Sequence, residues 1–152
     1  MFNISIQTEL PSPEGFVSLR KETDWGNLTL PQSENALEHS LCGVTAFDGE
    51  KIIGMARVIG DGILNLYIQD VIIAHGYRGH GFGQKILFTL IEHLKSTYAE
   101  DCTIGLMAAK GQTHFYKQFG FEVRPSEETD SGMTAPLSRL KKSQLVKTVS
   151  NA

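Results

Sequence analysis

Apolar and polar positions alternate through much of the chain in the way that predicts β-strands. Turn signals that contain glycine, at residues 48–50 and 60–62, separate three long apolar runs, which is typical of antiparallel hairpins. Shorter apolar runs follow towards the end of the chain. The predicted strands are Phe2–Thr8, Leu41–Phe47, Lys51–Ile59, Ile63–Ala74, Cys102–Ala109, Phe121–Arg124 and Met133–Leu137.

Helical spacing and cap residues predict the remaining elements. Ser33 suits the cap of one short helix, and Gly120 is the stop signal of another. The predicted helices are Pro13–Thr23, Glu34–His39, a long helix after Gly83 with Ile86, Leu87, Leu90, Ile91 and Leu94 on one face, and Thr113–Phe119. This order predicts a mixed α/β (α+β) fold with a mostly antiparallel central sheet and flanking helices.

The run Ile63–Ala74 changes its pattern halfway. Apolar residues occupy even positions up to Ile68 and odd positions from Val71, with Asp70 between them. Because strand side chains alternate with a strict period of two, the change predicts a β-bulge near residues 69–70. The alternative is a regular strand that is buried on both faces beyond Val71.

Composition narrows the class of protein. The chain is 41% hydrophobic and 20% charged, as in ordinary globular domains, and its net charge of −3 excludes a generally basic nucleic-acid binder. No apolar run reaches the roughly 18 residues of a membrane span, and no secretory signal is visible. Cys42 and Cys102 lack ligand spacing, so we expect reduced thiols, no metal and a cytoplasmic location.

A loop with four glycines, residues 76–83, joins the bulged strand to the long helix. Helix N-termini offer unpaired N–H groups to phosphate, and glycines let the backbone approach the anion. No GKS or GKT follows, which excludes a P-loop, and Gln84 and Ile86 stand where a dinucleotide fingerprint requires its third glycine. A bare structural turn is the other interpretation of this loop.

Two segments resemble the GNAT superfamily of acyl-CoA N-acyltransferases. Residues 78–83, Arg-Gly-His-Gly-Phe-Gly, are similar to the family's Arg/Gln-x-x-Gly-x-Gly/Ala signature. Residues 115–121, Phe-Tyr-Lys-Gln-Phe-Gly-Phe, are similar to its Phe/Leu-Tyr-x-x-x-Gly-Phe segment. The resemblance covers about residues 2–137. It implies a GNAT fold in which the strands Ile63–Ala74 and Cys102–Ala109 splay apart to form an acetyl-CoA cleft.

The resemblance also implies how acetyl-CoA binds. Backbone groups of three strand residues would hold the pantetheine arm, and backbone N–H groups of the glycine loop would hold the pyrophosphate. Arg78 would add a fixed positive charge. The implied acetyl-CoA-binding residues are Val71, Ile72, Ile73, Arg78, Gly79, His80, Gly81, Phe82, Gly83 and Gln84.

The reaction implied is acetyl transfer to a primary amine by direct attack in a ternary complex. The backbone N–H of Ile73 would stabilise the oxyanion. Tyr116 would act as the general acid, unless it is only a packing aromatic. Asp70 is a candidate general base, and the alternative is that it bonds a backbone N–H freed by the bulge.

The acceptor is expected to be a small-molecule amine bound near the first helices. Arg20, Asp24 and Trp25 are candidate acceptor-binding residues, with core packing as the alternative for Trp25. Other activities compatible with the resemblance are lysine or N-terminal protein acetylation and non-catalytic acyl-CoA sensing. Because dimers are common in the family, the resemblance also implies a possible homodimer.

The charge is unevenly distributed along the chain. Of 14 Lys+Arg and 17 Asp+Glu, four bases and no acid fall in residues 138–152, so residues 1–137 carry −7 and the last segment +4. We therefore expect an N-acetyltransferase domain at 1–137 and a basic tail at 138–152 that is either mobile or a helix over Leu140–Val149.

Overall fold

The structure is a computed structural model that describes residues 1–140. Its strands are β1 (Ile4–Gln7), β2 (Cys42–Asp48), β3 (Lys51–Gly60), β4 (Asn65–Ile73) and β5 (Thr103–Leu106). Its helices are α1 (Pro13–Arg20), α2 (Leu30–Glu38), α3 (Phe82–Thr97) and α4 (Thr113–Lys117), with 3-10 turns at His75–Tyr77 and Leu137–Arg139. The basic tail was predicted at residues 138–152, and its residues beyond Leu140 are outside the described part of the chain.

The strands form one sheet in the order β1-β2-β3-β4-β5. Neighbours are antiparallel from β1 to β4, and β5 runs parallel to β4 because α3 carries the chain back along the sheet. The predicted mixed, mostly antiparallel sheet with flanking helices is confirmed. No helix within residues 1–140 is long and apolar enough to cross a bilayer.

The chain divides into two compact units. Residues 1–108 hold the whole five-stranded sheet together with α1, α2 and α3. The second unit begins at Ala109, and its described part contains α4.

The first two helices begin at polar caps. Ser12 caps α1, with the Gly15 N–H donating to its hydroxyl at 3.1 Å and Pro13 at the start, as predicted. The predicted cap of the second helix is wrong. Thr29 caps α2 and forms a reciprocal capping box with Gln32. Ser33 instead lies inside the helix, fully buried.

Two apolar layers cover the sheet of the first unit. On α3 the buried residues repeat at helical spacing, and Gly54 of β3 lies beneath them with no room for a side chain. A Cβ at Gly54 would stand 2.7 Å from Ile86 Cδ1 and 2.8 Å from Ile73 Cδ1. A second apolar cluster joins α1 and α2 to the sheet; its buried members are Phe16, Leu19, Leu37, Met55, Ile72 and Ala74.

The predicted bulge in β4 is confirmed. Met55 pairs with Ile72 and Arg57 with Gln69, so three steps along β4 match two along β3. Asp70 lies in this interval with φ 52°, the left-handed region that non-glycine residues rarely adopt.

The last two predicted strands are wrong. Phe121–Arg124 and Met133–Leu137 have no strand structure, and Val123, Met133 and Leu137 are exposed. Each segment is only four or five residues long and borders or contains a proline, Pro125 or Pro136, which cannot donate to a strand ladder. Two short apolar runs were too little to specify pairing.

Candidate active site

β4 extends beyond its neighbour on one side. β5 pairs with it only from Asn65 to Ile68, although β4 continues to Ile73. The last five residues of β4 therefore have no strand partner on the β5 side within the described chain. An open strand edge of this kind can hydrogen-bond an extended ligand as though the ligand were a further strand.

The pairing with β3 determines which backbone groups face this open edge. The Ala74 N–H donates to the Ile53 carbonyl at 2.8 Å. In an antiparallel pair the hydrogen-bonding direction alternates, so the backbone groups of Ile72 point to β3 and those of Ile73 point away from it. Ile73 can thus present its N–H to a ligand at the open edge, whereas the Ile72 backbone is committed to the sheet.

The glycine loop leads directly from this edge to the N-terminus of α3. Gly79 has φ 78°, and Gly81, the cap residue, has φ 79°. A Cβ at Gly79 would meet nothing within 4 Å, so backbone conformation and not crowding requires glycine there. The N-terminus of an α-helix presents backbone N–H groups outward and, with the helix dipole, forms a positive end suited to phosphate.

Arg78 connects the loop to the strand. Its Nε donates to the Ile73 carbonyl at 2.9 Å, and its side chain is exposed. His80 and Gln84 are exposed beside it, while Phe82 is buried at the start of α3 and Gly83 is partly buried. The segment from Val71 to Gln84 thus runs from the open edge of β4 to the first turn of α3. Of the predicted acetyl-CoA-binding residues, Ile72 has its backbone directed to β3 and so cannot hold the pantetheine arm as expected.

Contacts with Phe2 and Asp48 hold the glycine loop in place. The Phe2 ring lies edge-on to those of His80 and Phe82, with centroids 5.1 and 5.5 Å away. The Tyr77 hydroxyl donates to Asp48 Oδ2 at 3.0 Å, and this hydrogen bond raises the Tyr77 pKa. These contacts were missed from the sequence because they join segments that are far apart in the chain.

Asp70 is buried and bonded to two arginines. Its Oδ1 accepts from Arg20 Nη1 at 2.5 Å and its Oδ2 from Arg57 Nε at 2.7 Å. The side chain of Asp70 is only 2% exposed. The sequence alternative, a bond to a backbone N–H freed by the bulge, is not what the structure shows. These charge-assisted bonds offset the cost of the left-handed backbone at Asp70.

The arginines extend the network across the elements. Arg57 Nη1 donates to Ser40 Oγ at 3.1 Å, and Arg20 Nη2 donates to the Trp25 carbonyl at 2.9 Å. The Arg20 guanidinium also lies 5.5 Å from the centroid of the Trp25 ring. One signal in the sequence indicated that Arg57 has a buried partner, namely the position of this charged residue within the otherwise apolar run of β3.

Trp25 and Asp24 lie in the connection from α1 to α2. Trp25 is 40% exposed, so core packing does not explain it, and Asp24 is exposed beside it. The structure thus gathers Arg20, Trp25 and Asp70 into one cluster, whereas Asp24 is exposed and forms no ion pair with its arginines.

Tyr116 belongs to the second unit, on α4. Its ring is 5.0 Å from that of Phe115 and 6.2 Å from that of Phe121, both edge-on. Burial in this aromatic cluster raises the Tyr116 pKa and so favours the protonated phenol. Among residues 1–140 no cluster of His, Cys, Asp and Glu is arranged to hold a metal ion.

Comparison with known proteins finds a family match and relatives that are named acetyltransferases. Residues 22–136 match the family described as the acetyltransferase (GNAT) domain. An uncharacterized N-acetyltransferase of Prochlorococcus marinus is 28% identical over 111 residues, 70% of this chain and 61% of that protein. A histone acetyltransferase of Glycine max is 36% identical over 76 residues, 50% of this chain and 32% of that protein. The chain thus spans less than two thirds of the length of these relatives.

Solved structures share the fold. A probable acetyltransferase from Staphylococcus aureus superposes with a TM-score of 0.77 at 28% identity, covering 88% of this chain and 98% of the other. The family match extends over most of the chain and includes the open edge of β4, the glycine loop and α4. The chain belongs to the GNAT family of acetyltransferases.

Proposed function

We propose that this chain is an acetyl-CoA-dependent N-acetyltransferase that transfers acetyl to the primary amine of a small molecule. The observation that carries the proposal is the continuity of the open edge of β4 with the glycine loop at the N-terminus of α3. The edge suits an extended amide-bearing arm and the helix terminus suits a pyrophosphate. Acetyl-CoA has both parts in that order.

The acetyl carbonyl would lie beside Ile73. As the amine attacks, negative charge grows on the carbonyl oxygen, and an N–H that already points to the open edge stabilises it without reorganisation. Arg78 donates to the Ile73 carbonyl, which faces the same open edge but belongs to the next peptide group, and so fixes the chain directly after this N–H. In this proposal Ile73 acts through its backbone, so its side chain can vary.

Tyr116 would protonate the thiolate that leaves when the carbon–sulfur bond breaks. An acid must be protonated before transfer, and burial favours that state of the phenol. Tyr116→Phe removes the proton and keeps the ring. We expect a fall in kcat of about 100-fold, with little change in the dissociation constant of acetyl-CoA, measured by steady-state kinetics and calorimetry.

Asp70 has a different role in this proposal from the base expected from the sequence. Both of its carboxylate oxygens accept bonds from guanidinium groups, so neither is presented to an ammonium. We assign Asp70 to positioning Arg20 and Arg57, and removal of the amine proton to solvent water at the open edge.

Release of CoA from acetyl-CoA tests the proposal. The full chain is incubated with acetyl-CoA and a panel of small amines and basic peptides, and product is identified by mass spectrometry. Acetylated small amines support the proposal. Preferential acetylation of peptides would replace it with protein acetylation, the activity in the name of the Glycine max relative. Binding of acetyl-CoA with no transfer would indicate a sensor.

A further inference from the structure

We propose that the amine substrate carries an acidic group, a carboxylate or a phosphate, which binds to the guanidinium groups of Arg20 and Arg57. The inference rests on the proposed acetyl transfer and names the class of its acceptor. It follows from the charge, the burial and the hydrogen bonding of the Arg20–Asp70–Arg57 cluster.

The cluster has more positive than negative charge. Asp70 forms an ion pair with each arginine, and these are the two ion pairs found in residues 1–140. Two guanidiniums thus share one carboxylate, which leaves one formal positive charge. The side chains of Arg20 and Arg57 are only 24% and 13% exposed. Charge that is so far removed from water is costly unless an anion compensates it.

The other groups bonded to the arginines are neutral. Arg20 donates to the Trp25 carbonyl and Arg57 to the Ser40 hydroxyl. Glu22, an acid close to Arg20 in the chain, accepts a bond from the His75 N–H at 2.6 Å instead. Asp24 is exposed and forms no ion pair with either arginine. The described protein does not supply the second anion.

One donor in the cluster has no acceptor. Arg20 Nε is buried and makes no hydrogen bond to any described residue. Buried N–H groups in native proteins are almost always paired, and an unpaired one indicates a water, ion or ligand. Nε itself has no exposed surface, so an anionic oxygen would bind to the exposed part of the Arg20 guanidinium and compensate the charge there. Bonds between arginine and carboxylate or phosphate are among the strongest in proteins.

The cluster is placed for an acceptor. Asp70 lies on β4 at the start of the open edge, and Ile73, beside which the amine would react, follows three residues later. At about 3.3 Å per residue this separation is roughly 10 Å. An amine and an acid on the same small molecule can span it in part, with the arginine side chains covering the rest. The partly exposed ring of Trp25 lies against the Arg20 guanidinium, where it can contact a bound acceptor.

Matched acceptors test the inference. Glycine, β-alanine, glutamate and phenylalanine are each compared with their amides, and 2-aminoethylphosphonate with ethanolamine, by CoA release. We expect kcat/KM to be about tenfold or more higher for the acids than for the neutral counterparts. The carboxylate and phosphonate arms distinguish the two kinds of acid. Equal or better use of the neutral amines would overturn the inference and leave the proposed function standing. Transfer to no amine of either kind would overturn both.

Arg20→Gln and Lys21→Gln provide a matched pair, because both remove one positive charge and Lys21 is exposed at the end of α1. Arg20→Gln should raise KM for the acidic acceptors about tenfold or more and leave acetyl-CoA affinity unchanged. Lys21→Gln should change neither. Arg20→Lys, which keeps the charge but loses Nε, serves if Arg20→Gln does not fold. An equal loss for acidic and neutral acceptors would show a merely structural role and contradict the inference.

Discussion

Single residues with unusual backbone angles give the sharpest tests. A Cβ added at either Gly79 or Gly76 would meet no atom within 4 Å, but only Gly79 has a positive φ, 78°. Gly79→Ala should therefore lower the free energy of unfolding by about 1 kcal/mol through backbone strain alone. Gly76→Ala should leave it unchanged. Chemical denaturation of both variants checks this, and equal values would contradict the account of the loop.

Asp70 should matter for stability more than its neighbours. Asp70→Asn removes the carboxylate charge from between two partly buried guanidiniums, so we expect a loss of about 3 kcal/mol in the free energy of unfolding. Asp24→Asn is the control, because Asp24 is exposed and forms no ion pair in the described chain. Urea denaturation measures both. A loss at Asp70 no larger than at Asp24 would mean that the ion pairs do not form.

Among the elements, the contact of α3 with β3 makes a further prediction. Gly54→Ala would place a methyl group 2.7 Å from Ile86 Cδ1, and we expect a loss of about 1–3 kcal/mol. Ile86→Val removes that carbon, so the double variant should recover part of the loss. Thermal unfolding of the single and double variants measures the coupling. Additive effects would show that α3 does not lie where the structure has it.

The sequence predicted the elements that have a strong local signal. The meander, the bulge at Asp70 and the apolar face of α3 followed from periodicity, and the prediction of a phosphate-binding loop followed from its glycines. Only the role of that loop in binding acetyl-CoA came from the resemblance. The cap of α2 was missed because Thr29 competes with Ser33 and wins through its capping box with Gln32. The short runs after residue 120 gave false strands, because segments of four or five residues specify no partner.

The candidate site was less predictable than the fold. Arg20 was expected near the acceptor and Asp70 near the bulge, but the bond between them joins positions 50 residues apart. No local pattern encodes such a bond; it arises only when α1 packs on the sheet. Asp70 was thus expected as a base, whereas the structure has both of its oxygens bonded to arginines.

For the whole molecule, the tyrosines predict a pH dependence. All four, Tyr67, Tyr77, Tyr98 and Tyr116, have a pKa raised above the ordinary 10.0, through burial at three of them and through the bond to Asp48 at Tyr77. The folded chain therefore binds more protons than the unfolded chain above about pH 10, and stability falls as pH rises through that window. Ultraviolet titration of phenolate in the folded protein should show that the tyrosines ionise at a higher pH than free tyrosine does. Ionisation at the ordinary value in the folded protein would contradict this.

Binding of acetyl-CoA tests the central claim most directly, because every proposed step depends on the open edge of β4 and the glycine loop. Calorimetric titration of the full chain should show one saturable site per chain. Gly79→Ala should weaken that site by about tenfold, because the strained loop no longer presents its N–H groups to the pyrophosphate, while Gly76→Ala should bind like the original protein. No saturable binding, or equal binding by both variants, would contradict the account.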